Sequence, residues 1–383
     1  MEDVPVPTLP AYDRGCVANI VPAVFGLFDD SWLPEPVFGA SSVVLLVLDG
    51  LGANVLVERP DLVPNLVAMA GARTDDGAIT TVLPATTSAA LTSITTGTAP
   101  GRHGVVGYRT LVDDRVLNVL RWQSEGADRG VRIEPFVVQR QPAFRGRTIP
   151  VVTKSDFKNS GFTKAHLGDG PFVGWKTASV LVEHVRKLVV DQHTPFTYAY
   201  YPGVDEVAHE FGLQNSYYDA EVTFADDLVG RLLSVLPPDA ALLVTADHGQ
   251  MHIEPEDWVD LHDLASLIKT QSGDARFRHL HAQPGAAKEL AQACRDSFHD
   301  LAWVRTRKEL LASEWLGPAG PGNSPAGGRI GDVVLMPFAP VGFIDPALPK
   351  ERGMRSAHGA PTASEMNVVL RSSRGQAVSR RSG

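Results

Sequence analysis

"SSVVLLVLDGLG", Ser41 to Gly52, decides the class of fold. Val43 to Leu48 are aliphatic without interruption. A strand with one wet face would alternate apolar and polar residues. This one is therefore expected to be buried on both faces, as in the centre of a parallel sheet. Asp49-Gly50 stops the run and leaves a carboxylate at the carboxyl end of the strand. Ligands of open α/β sheets bind just outside that end.

Outward from this strand the pattern repeats. "PFTYAYYPG" (Pro195 to Gly203) and "AALLVTADHG" (Ala240 to Gly249) are two more apolar strands. "AITTVLP" (Ala78 to Pro84) is shorter, and "GDVVLMPF" (Gly331 to Phe338) and "NVVLR" (Asn367 to Arg371) come late. Helical stretches separate them. The clearest is the amphipathic "NSYYDAEVTFADDLVGRLLSVL" (Asn215 to Leu236), and Ser88 to Thr96 forms another before Gly97 and Pro100 end it. Alternating strands and helices predict an α/β fold with a mostly parallel central sheet flanked by helices.

Two stretches depart from the pattern. Residues 108–170 carry eight arginines and little periodicity; residues 250–328 carry His252, His262, His279 and His281. Both read as inserted cap segments within one catalytic domain spanning 1–383, with a disordered tail at about 372–383.

The chain has 383 residues, 44% hydrophobic and 21% charged, enough for a large core. Its formal charge of −9 argues against binding a nucleic-acid polymer, which rests on clustered Lys and Arg. A local cation site can still oppose that charge and take a small anionic substrate. Two distant cysteines, Cys16 and Cys294, exclude a disulfide framework and a thiolate zinc cluster. No apolar run approaches the roughly 20 residues of a membrane span. The opening "MEDVPVPTLPAYDRG" lacks a basic then apolar leader pattern, so a cytoplasmic location is the expectation. The oligomeric state is not legible.

Four pieces carry acid and imidazole groups at loop positions. They are Asp49 in "VLDG", Asp205 and His209 in "GVDEVAHEFG", Asp247 and His248 in "TADHGQ", and His358 in "RSAHGAP". Asp205 and His209 stand four apart, on one face of a helix, where both can converge on one ion. Each piece alone is most often structural: Asp-Gly a turn, Asp-x-x-x-His a solvated pair, Asp-His-Gly a loop. Together they fall at the strand ends of one sheet. Carboxylates and imidazoles suit Zn2+, and a pair of ions about 3.5–4 Å apart is the clamp for in-line phosphoryl transfer. Mn2+ or Fe would accept the same donors.

The order "LVLDGLG", "PATTSAALTSITTGTAPGRHGVVG", "DEVAHEFG", "TADHGQ", "SAHG" resembles the alkaline phosphatase superfamily, in its nucleotide pyrophosphatase/phosphodiesterase branch. The resemblance spans Asp49 to His358. It implies an alkaline phosphatase-like fold and a nucleophilic threonine at Thr87, with Thr86 the neighbour if the register slips by one. It further implies one zinc held by Asp49, Asp247, His248 and the Thr87 oxygen, and a second held by Asp205, His209 and His358. The implied activity is hydrolysis of a phosphodiester or nucleotide pyrophosphate through a phosphothreonine intermediate, on a small phosphate-ester substrate.

Thr87 also fits on physical grounds. A free threonine hydroxyl needs a metal or base to react, and Thr87 opens a helix whose first N–H groups favour a phosphate oxygen. His103 in "GRHG" is read as structural. One departure from the branch stands out. Its members carry an asparagine three residues after the nucleophile, where this chain has Ala90. Asn118, Arg121 and Lys158 are candidates to replace that donor. Three carboxylates and an alkoxide against two divalent ions are nearly neutral, which suits one negative charge at phosphorus. The alternatives are a phosphomonoesterase, phosphonate hydrolase or sulfatase on this scaffold, a non-catalytic ligand-binding member, or a plain structural protein.

Overall fold

The structure is a computed structural model that describes residues 4–126, 130–319 and 324–377. Ser42–Leu48 is the middle of the main sheet, with every residue buried as its unbroken apolar run requires. It pairs in parallel with Phe196–Tyr201 on one side and Ala240–Thr245 on the other. Beyond Phe196–Tyr201 come Val151–Lys154 and then Phe172–Trp175, also parallel. Asn367–Arg374 closes the other flank, antiparallel to Ala240–Thr245, and carries the short strands Ala70–Gly71 and Ala78–Thr80. The sheet is α/β, mostly parallel and flanked by helices, as the sequence predicts.

Three expectations need correcting. The arginine-rich stretch 108–170 is not wholly an insertion, because Val151–Lys154 is a strand of the main sheet. Its run of only four residues was too short to read as a strand. A three-stranded antiparallel unit built on Arg109–Val112, Arg115–Asn118 and Gln123–Ser124 accounts for the early part. "GDVVLMPF" is a strand, Val333–Pro337, but it belongs to a separate four-stranded antiparallel sheet with Ile268–Asp274, Phe277–Ala282 and Ala302–Thr306. The 250–328 stretch thus builds most of a second layer rather than a loose cap. Finally, Ser372–Arg374 belongs to the edge strand, against the disorder expected from about 372; residues 378–383 lie outside those described.

Chain order sets the position of the site. After Phe196–Tyr201 the chain crosses to the opposite side of Ser42–Leu48 to form Ala240–Thr245. The crossing goes through the helices Gly203–Phe211 and Ser216–Val235. Asn215 caps the second helix by accepting from the Tyr217 and Tyr218 N–H groups. This reversal of strand order opens a crevice at the carboxyl ends of the three central strands. Asp49, Asp205 and Asp247 all follow those three ends.

Candidate metal centre and nucleophile

Asp49, Asp247, His248 and His358 follow the ends of strands, and Asp205 and His209 stand on a helix. Asp49 follows its strand directly, and Gly50 turns the chain at φ +76°. A Cβ at Gly50 would lie 2.7 Å from the Gln250 amide and 3.0 Å from the Asp205 Cβ, so only glycine permits this approach. Asp247 and His248 lie past the end of Ala240–Thr245, where the pleat no longer forces them to opposite faces. Asp205 and His209 share one face of Gly203–Phe211, with His209 Nε2 3.3 Å from Asp205 Oδ1. His358 follows the short strand Ser356–Ala357.

These pieces meet. Asp49, Asp247 and His248 offer ligand atoms all within 4.8 Å of one another, and Asp205, His209 and His358 form a second such group. His248 Nε2 is 3.3 Å from Asp49 Oδ1 and 3.6 Å from Asp247 Oδ2. His358 stacks on His248 with centroids 3.7 Å apart and sets its Nε2 3.7 Å from Asp205 Oδ1.

Thr87 joins the first group, with its hydroxyl 3.1 Å from His248 Nε2. It is the first residue of the helix Thr87–Thr96, buried along its whole length and ended by left-handed Gly97. The hydroxyl-rich run is thereby resolved. Thr92, Thr95 and Thr96 donate back to carbonyls one turn earlier, and Ser93 pairs with His103. His103 Nδ1 accepts from Val105 N–H, and burial pushes its pKa down to about 3. Thr86 donates to Asp274 instead.

The tautomer of the three histidines bears directly on metal fit. Nδ1 of His209 faces Ser356 O at 2.9 Å, that of His248 faces Gly249 O at 3.0 Å, and that of His358 faces Ala85 O at 3.0 Å. A carbonyl can only accept, so each Nδ1 carries a proton and, in the neutral ring, Nε2 is the nitrogen with the lone pair. All three lone pairs belong to the nitrogens that face the carboxylates. A histidine that ligates a metal is commonly held in this way, its far ring nitrogen donating to a carbonyl.

The carboxylates show the complementary deficit. Asp49 Oδ1 and Asp247 Oδ2 are buried without a hydrogen-bond partner. Burial first, then the neighbouring carboxylates, holds the Asp49 carboxyl well above the usual range. Burial and Asp205 raise Asp247 as well, against a lowering by His248. Such crowding is costly in a dry site unless cations join it. The nitrogen and oxygen donor set suits Zn2+ and is shared by Mn2+ and Fe.

Several site residues escaped the sequence reading. Tyr200 donates to Asp49, and Gln250 donates to Asp205 while its own oxygen accepts from Ser356. Gln250 sits inside "TADHGQ", and Tyr200 in the alternating "TYAYY", so both had a signal. Asp274 had none: it ends a strand of the second sheet and reaches Thr86 and the Tyr108 N–H across the layer boundary. Of the proposed substitutes for the missing asparagine, Asn118 donates to the Tyr108 hydroxyl, accepts from the Arg121 N–H and lines neither cavity beside Thr87. Arg121 and Lys158 are exposed and line neither cavity beside Thr87.

The family model for type I phosphodiesterase/nucleotide pyrophosphatase matches residues 43–361, which encloses every element of this site. The chain belongs to that family. A sequence search of curated proteins gave no match. Among solved structures, human ectonucleotide pyrophosphatase/phosphodiesterase 5 is similar at 14% identity and TM-score 0.65, with 86% of this chain and 87% of that one covered. The murine counterpart, solved as an inactive form with AMP, aligns at TM-score 0.64 with the same identity and coverage. Phosphonoacetate hydrolase from Sinorhizobium meliloti 1021 is also similar, at 17% identity and TM-score 0.60, covering 88% and 91%. These likenesses establish the alkaline phosphatase-like fold that the family shares. No helix among the described residues is long and apolar enough to cross a membrane.

Proposed function

We propose that this family member is a metal-dependent phosphodiesterase or nucleotide pyrophosphatase with Thr87 as its nucleophile. Asp49, Asp247, His248 and the Thr87 hydroxyl would hold one divalent cation, and Asp205, His209 and His358 the other. Bound there, zinc ions supply positive charge that lowers the pKa of a hydroxyl and neutralises phosphoryl oxygens.

The observation that carries the diester reading is a pair of cavities meeting at the nucleophile. One, of about 210 Å³, and the other, of about 240 Å³, share Thr87, Leu120 and Asp205 in their walls. A phosphorus at their junction has room for an organic group on each side. A monoester needs only one. His209 and His358 line the second cavity, so the group opposite Thr87 leaves there and the retained group occupies the first.

Thr87 Oγ1 attacks phosphorus, the departing oxygen leaves into the second cavity, and water then cleaves the phosphothreonine to restore the hydroxyl. First-turn N–H groups of Thr87–Thr96 have no intrahelical acceptor and stand nearest the reacting oxygens, where they serve in place of the asparagine absent at Ala90. Neither cavity has a Lys or Arg among its described lining residues. Lys154, which touches the first cavity's wall through Glu206, is bound to both oxygens of that carboxylate at 2.6 and 2.9 Å, and Arg278 is bound to Glu351 of the second at 2.7 Å. That disfavours the phosphonate hydrolase alternative for a carboxylated substrate such as phosphonoacetate.

The test is a rate comparison on bis-p-nitrophenyl phosphate and p-nitrophenyl phosphate with metal-loaded protein. The diester should be the faster substrate by kcat/KM, and Thr87→Ala should abolish turnover while keeping most of the metal. A faster monoester overturns the diester reading, and wild-type activity in Thr87→Ala overturns the nucleophile.

A further inference from the structure

We propose that His166 reads the retained group of the substrate, selecting an uncharged aromatic ring that carries an N–H or O–H donor. This rests on the phosphodiesterase reading, which assigns the retained group to the first cavity.

His166 lies on Gly161–Leu167, the helix packed against the nucleophile helix, and it is 4% exposed. It is among the residues lining the cavity of about 210 Å³ that Thr87 and Asp49 also line. Its Nδ1 is 2.6 Å from the Phe162 carbonyl one turn earlier. The carbonyl accepts, so the proton sits on Nδ1 and Nε2 is left as a lone pair. Among the described residues nothing donates to that Nε2. Burial pushes the ring pKa down to about 4, so it stays neutral at physiological pH. It is an acceptor, and it has no use for a phosphoryl oxygen.

The rest of the wall agrees. Leu91, Leu120, Phe157 and Leu167 make it apolar, and Phe162 stacks on the His166 ring at 4.0 Å. The polar groups beside His166 have already spent their protons. Ser160 donates to the Thr163 hydroxyl, and Thr163 donates to the Phe157 carbonyl. Asp49, Asp205 and Glu206 add carboxylates. A carboxylated or phosphorylated ring meets three carboxylates here and no cation, the Tyr198 hydroxyl being the buried donor left without a partner in the wall. A bare phenyl ring fits but leaves Nε2 unpaired. A ring with a donor satisfies both the stacking surface and the acceptor.

The experiment uses metal-loaded full-length protein and three diesters that all release p-nitrophenol. Their retained groups are 4-aminophenyl, phenyl and 4-carboxyphenyl. The aminophenyl diester should exceed the phenyl one in kcat/KM by roughly three- to tenfold, the return of one neutral hydrogen bond, and the carboxyphenyl diester should be slowest. His166→Phe keeps a stacking ring without an acceptor, and the aminophenyl preference should collapse to about one. His166→Gln restores an acceptor oxygen and should regain part of it. A thermal melt of each variant reports whether it is folded.

A preference that survives in folded His166→Phe, or none in the wild type, overturns the assignment. A second arm separates the two readings. Calorimetry of Thr87→Ala with 4-aminophenyl phosphate and phenyl phosphate needs no turnover. Preferred binding of the amino compound without hydrolysis of any diester sinks the phosphodiesterase reading and keeps the role of His166. Diester hydrolysis with no preference in either arm sinks His166 alone.

Discussion

Two regions of the molecule bury acidic side chains in different ways. In the second layer Glu365, Glu351 and Asp345 each meet an arginine. Arg276 binds both oxygens of Glu365 at 2.9 Å and gives its remaining donors to the carbonyls of Pro337, Ala339 and Val341. Arg278 pairs with Glu351 at 2.7 Å, and Arg109 pairs with Asp345 and Glu125. At the carboxyl edge of the main sheet Asp49, Asp205 and Asp247 crowd together with no Lys or Arg pair among the described residues, and one oxygen each of Asp49 and Asp247 has no hydrogen-bond partner. The chain can supply cations for buried acids and does so a short distance away. At the site it withholds them, which leaves the charge to be balanced from outside.

The sharpest way to break this comparison is to make the same kind of change in both places. Asp247→Asn should cut turnover by at least about 10²-fold through loss of a ligand. In metal-free protein it should nevertheless raise stability by roughly 1–3 kcal/mol, because it removes an uncompensated buried charge. Arg276→Ala should do the reverse to stability, costing about 3–5 kcal/mol by stranding Glu365. Denaturant unfolding of both variants after chelation checks the signs. Equal destabilisation by both substitutions would erase the distinction between the regions.

A smaller effect sharpens it. Asp274 lies between the two regions, and burial raises its pKa to about 6 despite bonds from Thr86 and Tyr108. Between its ordinary value near 4 and 6 the folded protein binds more protons than the unfolded chain, so this group's cost is present above pH 6 and relieved below. Stability of the wild type relative to Asp274→Asn should therefore improve by about 1 kcal/mol from pH 7.5 to pH 5. Urea midpoints at the two pH values measure it, and a difference that is flat or of opposite sign contradicts the assignment.

What could be read in the sequence follows the same division. The main strands announced themselves because burial on both faces demands unbroken apolar runs, as in Val43–Leu48 and Ala240–Thr245. Asp49, Asp205 and Asp247 were legible because each sits at or just beyond the place where such a run stops. Val151–Lys154 was missed because four residues carry too little pattern among arginines, and the second sheet because its strands are rich in polar residues, as "IKTQSGD" shows. Those polar residues answer to long-range pairs. Arg276 and Glu365 are 89 positions apart, a distance at which single-sequence periodicity says nothing. Asp274 and Gln250 find Thr86, Asp205 and Ser356 in the same way, across long stretches of chain.

The most direct measurement is the metal content of the purified full-length chain by elemental analysis, alongside Asp205→Asn and Asp49→Asn. Two equivalents of a divalent transition metal per wild-type chain are expected, falling toward one in each variant. Wild-type protein that is folded and binds no divalent metal at all, even after incubation with Zn2+ or Mn2+, would contradict the account.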